Sequence, residues 1–165
     1  MPGKIKAGQG TLIGNAGEYY VVAELMKRGI IAALAPRNSP DFDILATKGT
    51  QAVRIRVKTK SEEYDIWQWS VKKDGAIFRG LSHQNDFTVL VNLTEDHHQM
   101  DYFILPTSLL DTWLDKEFQT WLKTPGKKGQ PHDPSNPKRN LPYHEYREKL
   151  EPNHNNWSTF WDAKE

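Results

Sequence analysis

The sequence predicts an α/β domain, and three observations carry that prediction. A helical segment near the N-terminus is followed by short stretches that alternate apolar and polar residues, the period of a half-buried strand. The run from Phe87 to Leu93, FTVLVNL, is almost continuously apolar, as suits a strand in the middle of a sheet. Leu109, Leu110, Trp113, Leu114, Phe118 and Trp121 then recur at the spacing of one helix face.

Size and composition fit this class. A chain of 165 residues suits one domain, with a core burying about two thirds of the unfolded surface. There is no cysteine, which excludes disulfides and thiolate metal sites. No apolar run approaches the roughly 20 residues of a membrane span, and the first residues, MPGKIKAGQG, lack an apolar signal segment. The expectation is a cytoplasmic protein that does not engage a membrane. The net charge is only +1, but residues 1–60 hold 10 Lys and Arg against 4 Asp and Glu, while residues 61–165 hold 12 against 17. A basic excess confined to one segment can be the electrostatic footprint of a polyanion partner, and is also common in proteins that bind no nucleic acid.

In chain order, residues 1–13 are Gly- and Lys-rich and read as a loose arm. A helix is expected from about Asn15 to Arg28, stopped by Gly29, with Tyr19, Val22, Ala23 and Met26 as its buried stripe. Glu18 falls between Val22 and Leu25, away from the other charges. It is either favoured there by the helix dipole or directed at something cationic. Ile30 to Ala35, IIAALA, reads as a buried strand. Two strands follow at about 42–47 and 52–59, joined by a Lys48-Gly49-Thr50 turn. Residues 66–71 alternate like a strand, and 76–79 are a weaker candidate. DYFILP, 101–106, is another strand, and Thr107 is placed to cap the helix at 108–123. Residues 124–142 hold five prolines and several cations and read as a linker or surface loop. A short helix is expected at 143–150. Trp157, Phe160 and Trp161 form an aromatic face that packs back on the domain.

The segment from Pro40 to Lys60, PDFDILATKGTQAVRIRVKTK, carries the chemistry. Asp41 and Asp43 stand at the mouth of its first strand. Arg54, Arg56, Lys58 and Lys60 occupy alternate positions of its second, so they share one face, and Val53, Ile55, Val57 and Thr59 share the other. Phosphodiester hydrolysis uses a divalent ion to polarise the phosphoryl oxygen, carboxylates to hold that ion, and a lysine to stabilise developing charge. Glu18, Asp41 or Asp43, and Lys58 supply those groups. An ordinary amphipathic hairpin with a charged outer face is the plainer alternative.

GEYYVVAELMKRG, PDFDILA and RIRVKTK together resemble the PD-(D/E)XK nuclease superfamily, over about residues 14–60 and more weakly to Leu105. The resemblance implies a restriction-endonuclease-like core. Its fold is a mixed central sheet flanked by helices, in the order helix, strand, strand, strand, then further strands and a helix. Residues 1–123 would form this domain, with 124–165 a Pro-rich loop and C-terminal helical segment packed on it. Gly17-Glu18 matches the helix acid of the family, Asp43 best matches the strand acid, and Lys58 matches the lysine. Pro40-Asp41 fits the written motif literally, which makes Asp41 an assisting ligand. The resemblance thus implies a metal-dependent DNA endonuclease with Glu18, Asp43 and Lys58 catalytic. Glu18, Asp41 and Asp43 would surround Mg²⁺ or Mn²⁺, and Arg54, Arg56 and Lys60 would meet nucleic acid. It also admits a homodimer.

One position departs from the pattern. Two residues before Lys58 the family carries Glu, Asp or Gln, and this chain has Arg56. Arginine is a permanent cation with donors only, and cannot ligate a metal. Either another carboxylate substitutes (Asp41, Glu62 or Glu63), or the ion sits on fewer ligands, or the site has become a phosphate grip built from Arg56, Lys58 and Lys60. A solvated strand residue without a role is the remaining alternative. A catalytically inactive nuclease-like fold that binds nucleic acid or a protein is therefore the second functional expectation. Two weaker signals are His97-His98 with Asp96 and Asp101 as a metal site, where a solvated hairpin loop is the stronger reading, and Trp67 with Trp69 as base-stacking rings, where strand packing is the stronger reading.

Overall fold

The computed structural model describes residues 9–37, 39, 41–81, 84–94 and 100–162. Helix α1 (Gln9–Lys27) leads into β1 (Ile31–Leu34), β2 (Ile44–Lys48) and β3 (Gln51–Ser61). Next come β4 (Ile66–Ser70), β5 (Asp86–Leu93), β6 (Asp101–Pro106) and α2 (Thr107–Lys123). Strand β7 (Lys138–Pro142), α3 (Tyr143–Leu150) and two 3₁₀ turns close the chain. The central sheet has five strands in the order β1-β2-β3-β5-β6, and β4 and β7 form a separate two-stranded sheet. Within the large sheet β3 and β5 run parallel and every other pair is antiparallel. This is the expected mixed sheet flanked by helices, in the order helix, strand, strand, strand, then further strands and a helix.

The β2–β3 turn follows its residue chemistry. Gly49 takes φ of +60° at the first central position of a two-residue hairpin loop, where a side chain would be strained. The alternation expected of β3 divides the sheet into two faces. Val53 and Ile55 join Ile44, Val89, Val91 and Ile104 beneath α1. On the other face Leu90, Phe103 and Leu105 pack with Leu110 and Leu114 of α2, Leu141 of β7 and Tyr146 and Leu150 of α3.

Several details differ from the sequence reading. Helix α1 begins at Gln9, inside the segment expected to be a loose arm. Its buried face is Gly17, Val21 and Leu25, while Tyr19 and Met26 are 61% and 56% exposed. The reason lies in packing. A Cβ on Gly17 would stand 1.8 Å from Thr59 Oγ1, so glycine lets the helix close on β3 there. Strand β1 is an edge strand with only Ala32 buried, and not the buried strand that IIAALA suggested. Residues 76–79 form no strand. Thr107 is the first residue of α2 rather than its cap, a place taken by Pro106. The supposed linker contains β7, whose Leu141 is fully buried. Trp157 and Phe160 lie in a 3₁₀ turn, edge-on to Tyr102 and Phe87 respectively. The histidine pair at 97–98 and Asp96 lie outside the described residues.

Candidate active site at the β2–β3 divergence

The site arises where β2 stops matching β3. Strand β2 begins at Ile44, paired with Ile55, whereas β3 continues to Ser61. Beyond Ile55 the edge of β3 has lost its neighbour, and its backbone donors need other acceptors. Asp43, the residue before β2, takes one of them. Its own N–H donates to the Ile55 carbonyl at 2.9 Å, and its Oδ2 accepts from the Val57 N–H at 2.8 Å. Among the described residues nothing donates to Oδ1. The carboxylate is thus oriented by the backbone with one oxygen left available.

Glu18 and Asp43 line the same cleft, about 270 Å³, between α1 and the loop joining β1 to β2. Burial raises the pKa of both carboxyls above the ordinary range. The Asp43 charge raises Glu18 further and Arg37 acts against it. For Asp43 the Val57 N–H, Arg56 and Lys58 act against burial. Lys58 is shifted down, by burial first; Asp43 opposes that shift and Lys138 adds to it. Its ammonium lies 5.4 Å from the Trp69 ring centre. Asp41 does not line the cleft, and neither do Glu62 and Glu63, which follow the far end of β3.

Arg56 is occupied elsewhere. Its Nε and Nη2 donate to Oδ1 and Oδ2 of Asp86 at 2.9 and 3.0 Å, a two-pronged guanidinium–carboxylate pair. Nη2 also donates to the Arg79 carbonyl at 2.8 Å. The two side chains are 11% and 1% exposed. Asp86 also accepts from Thr107 Oγ1 at 2.6 Å, and Arg54 stands 3.6 Å away. The pair is diagonal: the register sets Asp86 opposite Arg54 and Thr88 opposite Arg56, and Arg56 reaches across by two residues to Asp86.

The cations expected to meet nucleic acid therefore do not form an open stripe, because β4, β7 and the 71–81 loop cover that face. Arg54 donates to the Gly80 carbonyl at 3.3 Å. Lys60 is 5% exposed, donates to Asn92 Oδ1 at 2.7 Å, and sits about 5 Å from the Trp67 and Tyr143 ring centres. Burial pushes its pKa down to about 8. Trp67 is a core residue, 1% exposed, and Trp69 packs edge-on to Phe78.

No protein-family model and no curated protein matches this chain. Among solved structures it is similar to the Holliday junction resolvase Hjc of the archaeal hyperthermophile Archaeoglobus fulgidus. The identity is 13% over 88% of this chain and 93% of that one, with a TM-score of 0.46. It is also similar to the bacterial homing endonuclease I-Ssp6803I, at 16% identity over 60% of this chain and 66% of that one, with a TM-score of 0.42. At these identities and scores nothing about this chain's activity follows.

The donor set itself bears on a metal. Hard divalent ions take oxygen ligands, and Mg²⁺ commonly uses one or two carboxylates with water and phosphate completing its shell. Glu18 and Asp43 supply such a pair, and each carboxyl is pushed toward its neutral form, which a cation between them would reverse. No third acid joins them among the described residues. The pair suits a weakly held Mg²⁺ or Mn²⁺, with Arg56 tied to Asp86. The sequence reading had missed Asp86 as the partner of Arg56, and Asn15 and Arg37 as cleft residues. An aspartate opening an otherwise apolar strand was the available signal for the first. Nothing in the sequence marked the other two.

Proposed function

We propose that this chain acts on nucleic acid phosphodiesters, as a DNA endonuclease of the PD-(D/E)XK type with a reduced ligand set. The observation that carries the reading is the Asp43 carboxylate, oriented by the Val57 N–H and facing Glu18 across one cleft. Glu18 and Asp43 would hold Mg²⁺ or Mn²⁺, with water and substrate phosphate completing the shell. Such an ion supplies charge neutralisation and polarisation of a phosphoryl oxygen. Lys58 contributes a half-buried ammonium near Asp43, suited to stabilising charge that develops on the phosphate. Its lowered pKa also eases proton transfer from its Nζ. A cytoplasmic location belongs to the same reading, and no described helix is long and apolar enough to cross a membrane. A second reading, a nucleic-acid-binding fold without catalysis, is favoured by one observation: the place of the family's second carboxylate holds an arginine engaged elsewhere.

The two readings separate in one experiment. Supercoiled plasmid and single-stranded DNA are incubated with the protein and Mg²⁺ or Mn²⁺, beside Asp43→Ala and Lys58→Ala. Nicking by the wild type that both variants lose supports the endonuclease. DNA binding without cleavage, together with no heat on Mn²⁺ titration, supports the second reading and overturns the first.

A further inference from the structure

A cleft walled by two carboxylates repels the phosphate it would receive, so a cation has to meet that phosphate. The cations of β3 are poorly placed for this. Arg56 is bound to Asp86, Lys60 lies between Trp67 and Tyr143, and Lys58, set beside Asp43 for the reacting phosphoryl group, does not line the cleft. Arg37 is different. It sits on the loop joining β1 to β2, lines the same cleft as Glu18 and Asp43, and is exposed. It makes no hydrogen bond or ion pair within the described residues, although its charge is felt by Glu18. Thr11 and Asn15 line the cleft from α1. With Glu18 they stand at i, i+4 and i+7, one face of that helix. A hydroxyl, an amide and a guanidinium thus rim a cavity whose floor is acidic.

We propose that Arg37, with Asn15 and Thr11 beside it, binds a backbone phosphate of a nucleic acid strand lying in the Glu18–Asp43 cleft. The inference rests on the reading that this cleft handles phosphodiesters. A guanidinium suits the task, because it is charged at every working pH and meets phosphate through two parallel N–H donors. A contact of this kind positions the strand without reading its bases. It also relocates the anion-binding cation from β3, where Asp86 has taken Arg56, to the opposite wall. Arg37 is therefore a binding residue, and its loss weakens all sequences alike.

The test is the fluorescence anisotropy of labelled single-stranded and duplex DNA titrated with the full chain at salt concentrations from about 50 to 200 mM. Circular dichroism confirms that each variant is folded. Arg37→Ala is expected to weaken binding about tenfold at low salt and to lower the slope of log K against log salt by about one. Arg37→Lys keeps the slope and loses part of the affinity. Lys48→Ala, which removes the same charge at the other end of β2, leaves both close to wild type. Arg37→Ala that binds like wild type with an unchanged slope overturns the inference and leaves the proposed function standing. So does Lys48→Ala that weakens binding as much as Arg37→Ala. A wild-type protein that binds neither DNA at low salt overturns both.

Discussion

Removing Asp86 would test what position 56 does. In the folded chain the Arg56 guanidinium has two bonds to Asp86 and one to the Arg79 carbonyl, in a setting that leaves it 11% exposed. Asp86→Ala leaves that charge buried with a single neutral acceptor, and removes one partner of the Thr107 hydroxyl, which keeps Thr88 as the other. Breaking a buried pair from one side costs about 3–5 kcal/mol. Domains of this size hold about 5–15 kcal/mol in all, so the variant loses about a fifth or more of its stability. Arg56→Ala strands Asp86 in turn, with Thr107 and the more distant Arg54 as its remaining partners. Arg56→Met with Asp86→Leu removes both charges and packs apolar surface instead, for which near-neutrality is expected. Guanidinium unfolding followed by circular dichroism gives each value by linear extrapolation, with an unchanged slope as the sign that only stability has moved. Single variants costing under about 1 kcal/mol each, or adding without coupling in the double alanine variant, would refute the reasoning.

The same geometry says what a carboxylate at position 56 would do. Arg56→Glu faces Asp86 with a like charge in place of a partner. It loses the pair and adds repulsion, so it is expected to cost at least as much as Asp86→Ala and to gain no metal affinity. Arg56→Glu with Asp86→Asn relieves the repulsion, and Mn²⁺ binding by calorimetry should then exceed that of the wild type. Arg56→Glu alone that folds like the wild type contradicts the assignment of Asp86 as its constraint.

Three further outcomes follow from other parts of the molecule. Gly17→Ala places a Cβ 1.8 Å from Thr59 Oγ1, between helix and strand backbones that have little room to part, and is expected to cost about 1–3 kcal/mol in urea unfolding; a neutral result sinks the close-packing argument. The native Lys60 pKa of about 8 lies below its unfolded value of 10.5, so the unfolded chain holds the extra proton between those values and stability rises with pH across that window. The expected rise is on the order of 2 kcal/mol, since the aromatic contacts offset part of the desolvation, and Lys60→Met should flatten it. Phe160→Ala opens a hole against Phe87 under the sheet and should cost about 3–5 kcal/mol, whereas a merely draped C-terminus would lose almost nothing.

The parts legible in the sequence were those with short-range periodicity. The alternation of β3 and the apolar run of β5 each name their strand and their faces without knowledge of the partner. Helix α1 shows where that stops. Leu12, Ile13, Ala16, Tyr19, Val21, Val22, Leu25 and Met26 run almost all round it, so periodicity selects no face. The sheet selects it, through Gly17 against Thr59. Strand β7 was hidden for a different reason. KRNLP is charged, short and ends in proline, and its partner Ile66–Ser70 lies about seventy residues earlier. Its assignment depends on a pairing that local propensity does not encode. For the site, residue types and spacing pointed to Glu18, Asp43 and Lys58, and the structure puts the two acids in one cleft with Lys58 felt by Asp43. The fate of Arg56 depended on a diagonal partner two residues off its register position on β5, Asp86.

The Arg56–Asp86 pair also explains how an arginine is tolerated beside a carboxylate site. A lone arginine on β3 would be a buried charge without a partner, costing several kcal/mol. A lone aspartate opening β5 would carry the opposite fault. Each is acceptable only with the other, so positions 56 and 86 behave as one unit whose charges cancel within the fold. The cleft is then lined by two acids, with the half-buried Lys58 close enough to act on Asp43. Under the proposed function, its demand for a divalent cation would be one charge lower than that of a three-acid set, and the ion would lean more heavily on the substrate phosphate. This ties metal affinity to phosphate binding. Mn²⁺ should bind the free protein weakly and the DNA-bound protein more tightly, with each ligand strengthening the other by the same factor. Calorimetric titration of Mn²⁺ into the protein with and without DNA measures that factor directly, and equal affinities in the two titrations would show that the cleft does not share its ion with phosphate.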